Sequence, residues 1–597
     1  MNIFKAFVKK YFYYFSYFYR IVKGRLFIAF GLSMLVALMD GLGLTMFLPL
    51  LEMADGGNPD GKSMGRFGII LTLMQNYGIP LNISVVLLLM ALFFSLKGVL
   101  KFVEQYYSIL LRRFFIKQMR LSIVNLFDRY AFKNFIKQDS GRIQNAATSE
   151  IERIVVAFSS YMNVLQAFAM IFIYVGMAFS VNVRFSLLVM SGGALSNFLY
   201  ASIFKKSKKY SVDISKNNQD FQSLLIQKIT YFKYLKSSGL LSSYGNKLRE
   251  QIEKVEFFYK KLGLLSSIIT AIREPIIILI IVTVILVEIN LYGGSIAGII
   301  LSLLFFYRSL TYLLALQSYW NSVIANYGSL VNLKNFTEEL ANGKDTQGTI
   351  KKDGLKECME LHNLNFSYGS HKVLHQLSLS INRNQVLAIV GESGSGKSTL
   401  MNILAGLYLP DSGSLFIDGV EIREIDRNHF QKHIGYITQE PVIFDDSIFN
   451  NVSFWDVDNA TNRERCREAL RKAAIFDFVD GLEEGEDSRL GNNGIMVSGG
   501  QKQRISIARE LYKGINLLLM DEATSALDSG TEMDIQENIE RLRGKVTIII
   551  IAHRLSTIKN ADQIFLLKQG QIASYGTFNE LESKSTDFSK MISLQAF

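Results

Sequence analysis

The residues Gly391-Glu392-Ser393-Gly394-Ser395-Gly396-Lys397-Ser398-Thr399 combine three kinds of group that together handle phosphate. Glycines let a backbone approach a ligand closely, a lysine supplies positive charge, and a serine hydroxyl supplies a metal ligand. They stand between the apolar run Val386-Leu387-Ala388-Ile389-Val390 and the helix-like run Leu400-Met401-Asn402-Ile403-Leu404. That order reads as buried strand, turn and helix N-terminus. Converging N–H groups and the positive end of a helix dipole would hold polyphosphate there, with Lys397 reaching the β- and γ-phosphates and Ser398 on Mg²⁺. A chance glycine-rich turn would not carry the whole G-x-x-x-x-G-K-S spacing in this setting, so the chain is expected to bind a nucleoside triphosphate.

A second group of residues could act on it. Leu517-Leu518-Leu519-Met520 runs into Asp521-Glu522, a buried strand ending in two acids. Asp521 can hold the hydration shell of Mg²⁺ while Glu522 polarises an attacking water. His553 follows the apolar run Val546-Thr547-Ile548-Ile549-Ile550-Ile551, where a γ-phosphate sensor would lie. A histidine at a strand end is more often structural, so its assignment leans on the acids.

The elements that must carry these groups divide the chain. At 597 residues it is too long for one ordinary core, and 49% apolar against 20% charged residues is a greasy balance for a soluble protein. Apolar segments near the ~20 residues of a bilayer span fall at about Leu26–Leu51, Ile83–Val103, Val155–Ser180, Phe185–Phe204, Leu264–Glu288 and Gly293–Leu316. The loops after the second and fourth are rich in lysine and arginine, and the first loop is slightly acidic. Both termini and the two long loops are therefore expected in the cytoplasm, and the formal charge of +11 is topological rather than directed at nucleic acid. Residues 1–25 mix Lys and Arg with Phe and Tyr without an acid, which suits an interfacial helix better than a cleaved signal. Helical spacing of apolar residues in Leu110–Phe135 and Phe221–Tyr244 extends the helices past the membrane. The stretch 332–354 turns polar, as a linker does, and alternating strands and helices follow. Cys358 and Cys466 offer no disulfide framework, which fits a reducing compartment.

Val497-Ser498-Gly499-Gly500-Gln501, ahead of the Asp-Glu strand, resembles the signature motif of ATP-binding cassette (ABC) proteins. Tyr368 resembles the aromatic residue that stacks on adenine, and Gln439 the loop glutamine that links the metal to the transmembrane domain. Ser525-Ala526-Leu527-Asp528 resembles the D-loop, and His553 the switch histidine. With six spans ahead of the cassette, the whole chain resembles a half-size ABC exporter. The resemblance implies an α-helical six-span transmembrane domain with long cytoplasmic helical extensions (26–331, after an interfacial helix over 1–25). A linker (332–354) then leads to an α/β P-loop ATP-binding cassette (355–597).

It implies ATP and Mg²⁺ as cofactors, an integral membrane location (the cytoplasmic membrane if bacterial) and a cytoplasmic ATPase domain. Two cassettes would close head-to-tail, Ser498 and Gly500 of one chain meeting the γ-phosphate held by Lys397 of the other. A homodimer is expected because each catalytic position is intact, with a degenerate partner chain as the alternative. Loop tips near Lys137–Gln144 and Tyr231–Tyr244 would act as coupling helices. Two departures stand out: Val497 replaces the usual leucine, and Asn492 stands where a glutamate-containing loop is usual.

Charges inside the spans bear on what is carried. Asp40 lies in the first, Arg273-Glu274 precedes Pro275 in the fifth, and Arg308 lies in the sixth. Each costs about 2.5–3.5 kcal/mol at mid-membrane on an insertion scale, so they are expected to face a cavity or to pair. In one reading Arg273 and Arg308 greet an anionic headgroup; in the other an Asp40–Arg273-type pair only fixes packing. The acid and following proline of the first span and Tyr307-Arg308 in the sixth also resemble lipid-linked oligosaccharide flippases. An amphipathic substrate is expected, whether lipid, lipid-linked glycan, drug or peptide. An ATP-gated regulatory subunit on the same scaffold is the reading from another class, and such proteins often lose the glutamate or histidine retained here.

Overall fold

The computed structural model describes residues 13–54, 82–181, 183–292, 296–521, 537, 540–552 and 558–595. The chain forms two compact units: Met1–Tyr130 with Lys137–Lys344, and Ala131–Ile136 with Asp345–Phe597.

Among the described residues the first unit is helical: α1 (Arg25–Thr45), α2 (Ile83–Phe127), α3 (Ile151–Val181), α4 (Val183–Thr230), α5 (Leu241–Tyr292), α6 (Ile296–Ala325) and α7 (Tyr327–Asn342). Four helical stretches among those residues are long and apolar enough to cross a membrane: Arg25–Thr45, Ile83–Phe127, Ser140–Ser180 and Leu241–Val287. The remaining expected spans, Phe185–Phe204 and Gly293–Leu316, fall on α4 and α6, many of whose side chains lie outside the described residues. α4 has 48 residues and α5 has 52. At about 1.5 Å per residue each is more than twice as long as the ~30 Å hydrocarbon core, so both run far past a bilayer. Leu88, Val99 and Phe102 on α2 and Leu279 on α5 are exposed, a surface that suits lipid and would be costly in water.

Residues 13–22 are helical, and Tyr14, Phe18 and Val22, at spacing four, are buried. The Phe18 ring lies 5.8 Å from Phe115, 5.3 Å from Phe158 and 5.1 Å from Tyr161. One face of the expected interfacial helix is thus covered by protein, while residues 1–12 lie outside the described residues. The expected linker begins later than its polarity suggests. Leu330, Leu333, Phe336 and Leu340 bury one face of α7, so helix continues to Asn342 and the unit boundary falls after Lys344.

Among the described residues the second unit has two sheets. β1 (Cys358–Tyr368), β2 (His371–Asn382), β4 (Ser412–Ile417) and β5 (Val420–Glu421) form an antiparallel sheet in the order β2-β1-β4-β5. β3 (Val386–Val390), β6 (Ile434–Ile437), β7 (Leu517–Asp521), β8 (Thr547–Ile551), β9 (Gln563–Lys568) and β10 (Gln571–Gly576) pair as β10-β9-β3-β8-β7-β6. All pairings are parallel except β10 with β9. Side-chain alternation divides these strands between two cores. Val386, Ala388, Val390, Leu518, Met520, Ile548 and Ile550 enter one; Leu387, Ile389, Leu517, Leu519, Ile549 and Ile551 enter the other. A parallel sheet covered on both faces needs such continuous apolar runs.

A tip from between the second and third expected spans belongs to this unit. In the short helix Phe132–Phe135, Phe132 lies 5.5 Å from the Tyr408 ring, and the Lys133 ammonium is 2.9 Å from Asp411 and over the Phe366 ring. The first tip is therefore Ala131–Ile136, not Lys137–Gln144, which stays in the first unit. Gly141 explains the difference: a Cβ there would meet the Ser223 backbone at 2.4 Å, so that turn is committed to packing on α4.

Candidate active site

β3 delivers the chain into a loop with Gly391 at φ +151°, Gly394 at +82° and Gly396 at +103°. A Cβ on Gly391 would sit 2.1 Å from the Leu567 carbonyl oxygen, and one on Gly396 would sit 2.8 Å from Leu374 Cδ2. Only glycine gives this backbone both its dihedrals and its space. The loop ends in α8 (Lys397–Leu404), whose N-cap is Gly396. The Lys397 ammonium is buried and donates to the carbonyls of Gly391 and Glu392, at 2.9 Å each, so its charge is held across the loop. Ser398, one residue on, is exposed; Glu392, Ser393 and Gly394 are exposed too. The buried Ser395 Oγ has no hydrogen-bond partner among the described residues. A helix N-terminus, a held ammonium, an orphan hydroxyl and a loop shaped by missing Cβ atoms fit a polyphosphate.

Strand order brings the other candidates to the same edge. β3, β8, β7 and β6 run parallel in adjacent positions, so their carboxyl ends share one side of the sheet, where ligands of such sheets bind. Ile551 is in register with both Ile389 and Asp521, and Ile437 with Met520. Asp521 closes β7 at the same sheet edge as the loop, two strands over from β3, and Gln439, exposed, lies two residues beyond β6. Glu522, Asp528 and His553 lie outside the described residues.

Sequence reading missed Tyr436 and Asn402. The Tyr436 hydroxyl donates to Asn402 Oδ1 at 3.0 Å, joining β6 to α8. Burial, and then the neighbouring Asp521 charge, push the Tyr436 phenol well above its ordinary value, so it stays a donor at the sheet edge. Tyr368 ends β1, part exposed, with its hydroxyl 3.4 Å from Thr399 Oγ1 and its ring edge-on to Phe366. That leaves an aromatic surface within reach of the loop's helix.

Ser498 caps α9 (Gly499–Tyr512) with a reciprocal box: its Oγ accepts from Gln501 N at 3.3 Å, and its own N–H donates to Gln501 Oε1 at 2.8 Å. Gln501 is thereby occupied in shaping the helix start. Ser498 and Gly499 are exposed and a Cβ on Gly499 would meet nothing within 4 Å, so this N-terminus is open to an anion.

In the first unit Asp40 is 1% exposed, and its partner is Lys97 of α2 at 2.5 Å, with the Tyr174 hydroxyl donating to its other oxygen. The expected pairing with Arg273 lies outside the described residues. The sequence signal for Lys97 was available: it is a charge inside the second expected span, as is Lys101, which pairs with Glu104 at 2.6 Å. Glu274 and Arg308 are exposed on α5 and α6, and the side chain of Arg273 lies outside the described residues.

Comparison with known proteins follows the same division. Residues 374–525 match the family model described as ABC transporter, and residues 26–314 that of the ABC transporter transmembrane region. The ATP-dependent lipid A-core flippase of Photobacterium profundum is 30% identical over 565 residues, 91% of each chain. The heterocyst differentiation ATP-binding protein HepA of Nostoc sp. is 30% identical over 461 residues, 75% of this chain and 74% of that one. The solved structure of a bacterial Atm1-family ABC exporter with ATP bound superimposes with a TM-score of 0.79, at 22% identity, over 97% of this chain and 99% of that one. That last likeness concerns the fold.

Proposed function

This chain belongs to the ABC transporter family, a membrane-integral transporter coupled to an ATPase, and from that premise we propose an exporter that moves an amphipathic, lipid-like substrate from the cytoplasmic side of a bacterial inner membrane. The observation that carries the reading is a glycine-shaped loop, Gly391–Thr399, at the carboxyl edge of a parallel sheet, in one chain with helices long and apolar enough to cross a membrane. Lys397 and the N–H groups of the loop would bind the β- and γ-phosphates, and Tyr368 would stack on adenine. Ser398, Asp521 and Gln439 would hold Mg²⁺, which when bound neutralises phosphate charge as the terminal bond breaks. Glu522, next to Asp521 in sequence, would orient and deprotonate the attacking water, and His553 would contact the γ-phosphate.

A second copy would complete the site: the exposed helix start at Ser498 and Gly500 would meet the γ-phosphate cradled by Lys397 of the other copy. Asp528 would line the same junction. Tyr231, Phe232, Tyr234 and Leu240, at the second tip, are exposed large apolar residues, which suits burial against the partner. ATP would favour the closed pair by its differential affinity for that state, and hydrolysis would release it. The similarity to a lipid A-core flippase supports a lipid-like cargo.

The test is ATPase activity of the purified chain in nanodiscs with glycolipids, lipid-linked glycans, peptides and drugs added in turn. Stimulation by an anionic lipid-linked compound, with Glu522→Gln binding ATP but not turning over, is the expected result. Stimulation by hydrophobic drugs alone would move the assignment to a multidrug exporter.

A further inference from the structure

Away from the nucleotide site, three side chains of the second unit converge in a way the ATPase does not use. His429 and His433 lie four residues apart on the short helix Arg427–Lys432 and its C-cap, on one face, with ring centroids 4.7 Å apart. Asp353 Oδ1 is 2.9 Å from His429 Nε2 and 3.9 Å from His433 Nε2. The ligand-capable atoms of all three lie within 4.8 Å of one another. In a tetrahedral site with bonds of about 2.0–2.1 Å, ligand atoms stand about 3.3 Å apart. The observed separations bracket that figure.

Two features show that the group is built. His433 Nδ1 is 3.0 Å from the His429 carbonyl oxygen; a carbonyl can only accept, so Nδ1 carries a hydrogen and Nε2 is the nitrogen left on the Asp353 side to serve as a ligand atom. Orientation of one ring nitrogen by a backbone carbonyl is the usual support of a metal-bound imidazole. Asp353 is held from behind. Its carbonyl accepts from Asn516 Nδ2 at 2.9 Å, Leu355 N donates back to Asn516 Oδ1 at 3.0 Å, and Gly354 makes the turn at φ +81°. Thr349 N donates to the Glu424 carbonyl and Asp426 N to the Ile350 carbonyl, so this arm is already laced to the segment that carries the histidines. Lys356 takes the other Asp353 oxygen at 3.3 Å, leaving Oδ1 for the cluster.

We infer that Asp353, His429 and His433 form a binding site for a divalent transition ion, Zn²⁺ by ligand type, with water completing the shell. Two imidazoles and one carboxylate select zinc and its neighbours over Mg²⁺ or Ca²⁺, which take oxygen. The ion replaces the proton that His429 Nε2 shares with Asp353, that proton moving to Nδ1 or to solvent. Bound there, it clips the arm that leads into β1 onto the cassette.

The experiment uses the full chain in detergent, purified on a tag without histidine, stripped of metal and free of nucleotide. Co²⁺ is titrated as a spectroscopic stand-in for Zn²⁺. The expected result is one Co²⁺ per chain, with the visible absorption of low-coordinate cobalt, displaced by Zn²⁺. Loss of even an orienting partner costs about 10–100-fold in affinity, so Asp353→Asn and His433→Gln should each weaken binding by at least about 10-fold. Asp353 is exposed, so its variant carries the test should His433→Gln fold poorly. Absence of the absorption, or Co²⁺ affinity unchanged in Asp353→Asn, would overturn the assignment.

Discussion

A single methyl group measures how tightly the phosphate loop is built. Gly391→Ala would place a carbon 2.1 Å from the Leu567 carbonyl and force alanine into a positive φ. Strain of that kind costs about 1–3 kcal/mol before any collision is counted. The expected outcome is a lower melting temperature together with lost ATP binding; wild-type values of both would contradict the geometry. Cys466 behaves oppositely to a functional thiol. It is fully buried, and burial pushes it up to about 12, so it stays protonated and inert at pH 8. Thiol labelling should mark it only after unfolding, and rapid labelling of the folded chain would contradict its packing. The loop was legible because its chemistry is contiguous in sequence. The Asp353–His429–His433 group was not, since bridges between residues far apart assemble it, although the four-residue histidine spacing was there to see.

Between elements, partners matter more than residue types. Asp40 reads as a charge in a span, but its ally Lys97 lies 57 positions away on α2, and only helix packing says so. The pair and the Tyr174 hydroxyl join α1, α2 and α3 through one buried carboxylate. Lys97→Ala should therefore cost about 3 kcal/mol, the low end for a broken buried pair because Lys97 keeps some exposure, by leaving Asp40 uncompensated. Adding Asp40→Asn should recover much of that loss in a thermal melt. Loss of transport with unchanged stability would instead make Asp40 part of the substrate path. Strands read well because their apolar runs are continuous on both faces. The cassette-bound tip read less well: polarity marked the loop, but the choice of Phe132 over the next turn depended on Gly141 being spent against α4.

At the scale of the molecule, each chain carries a cradle at Lys397 and an exposed helix start at Ser498, and in the dimer proposed above two copies would make a closed site. Membrane helices and cassette share one polypeptide, as befits a transporter coupled to an ATPase. The most direct measurement reconstitutes the chain in sealed vesicles and follows a headgroup-labelled anionic glycolipid across the bilayer with ATP outside, beside the Glu522→Gln variant. The expected result is ATP-dependent movement in the wild type and none in the variant, although the variant still binds ATP. Equal movement in both, or ATP hydrolysis by the wild type with no movement of any amphipathic lipid, would contradict it.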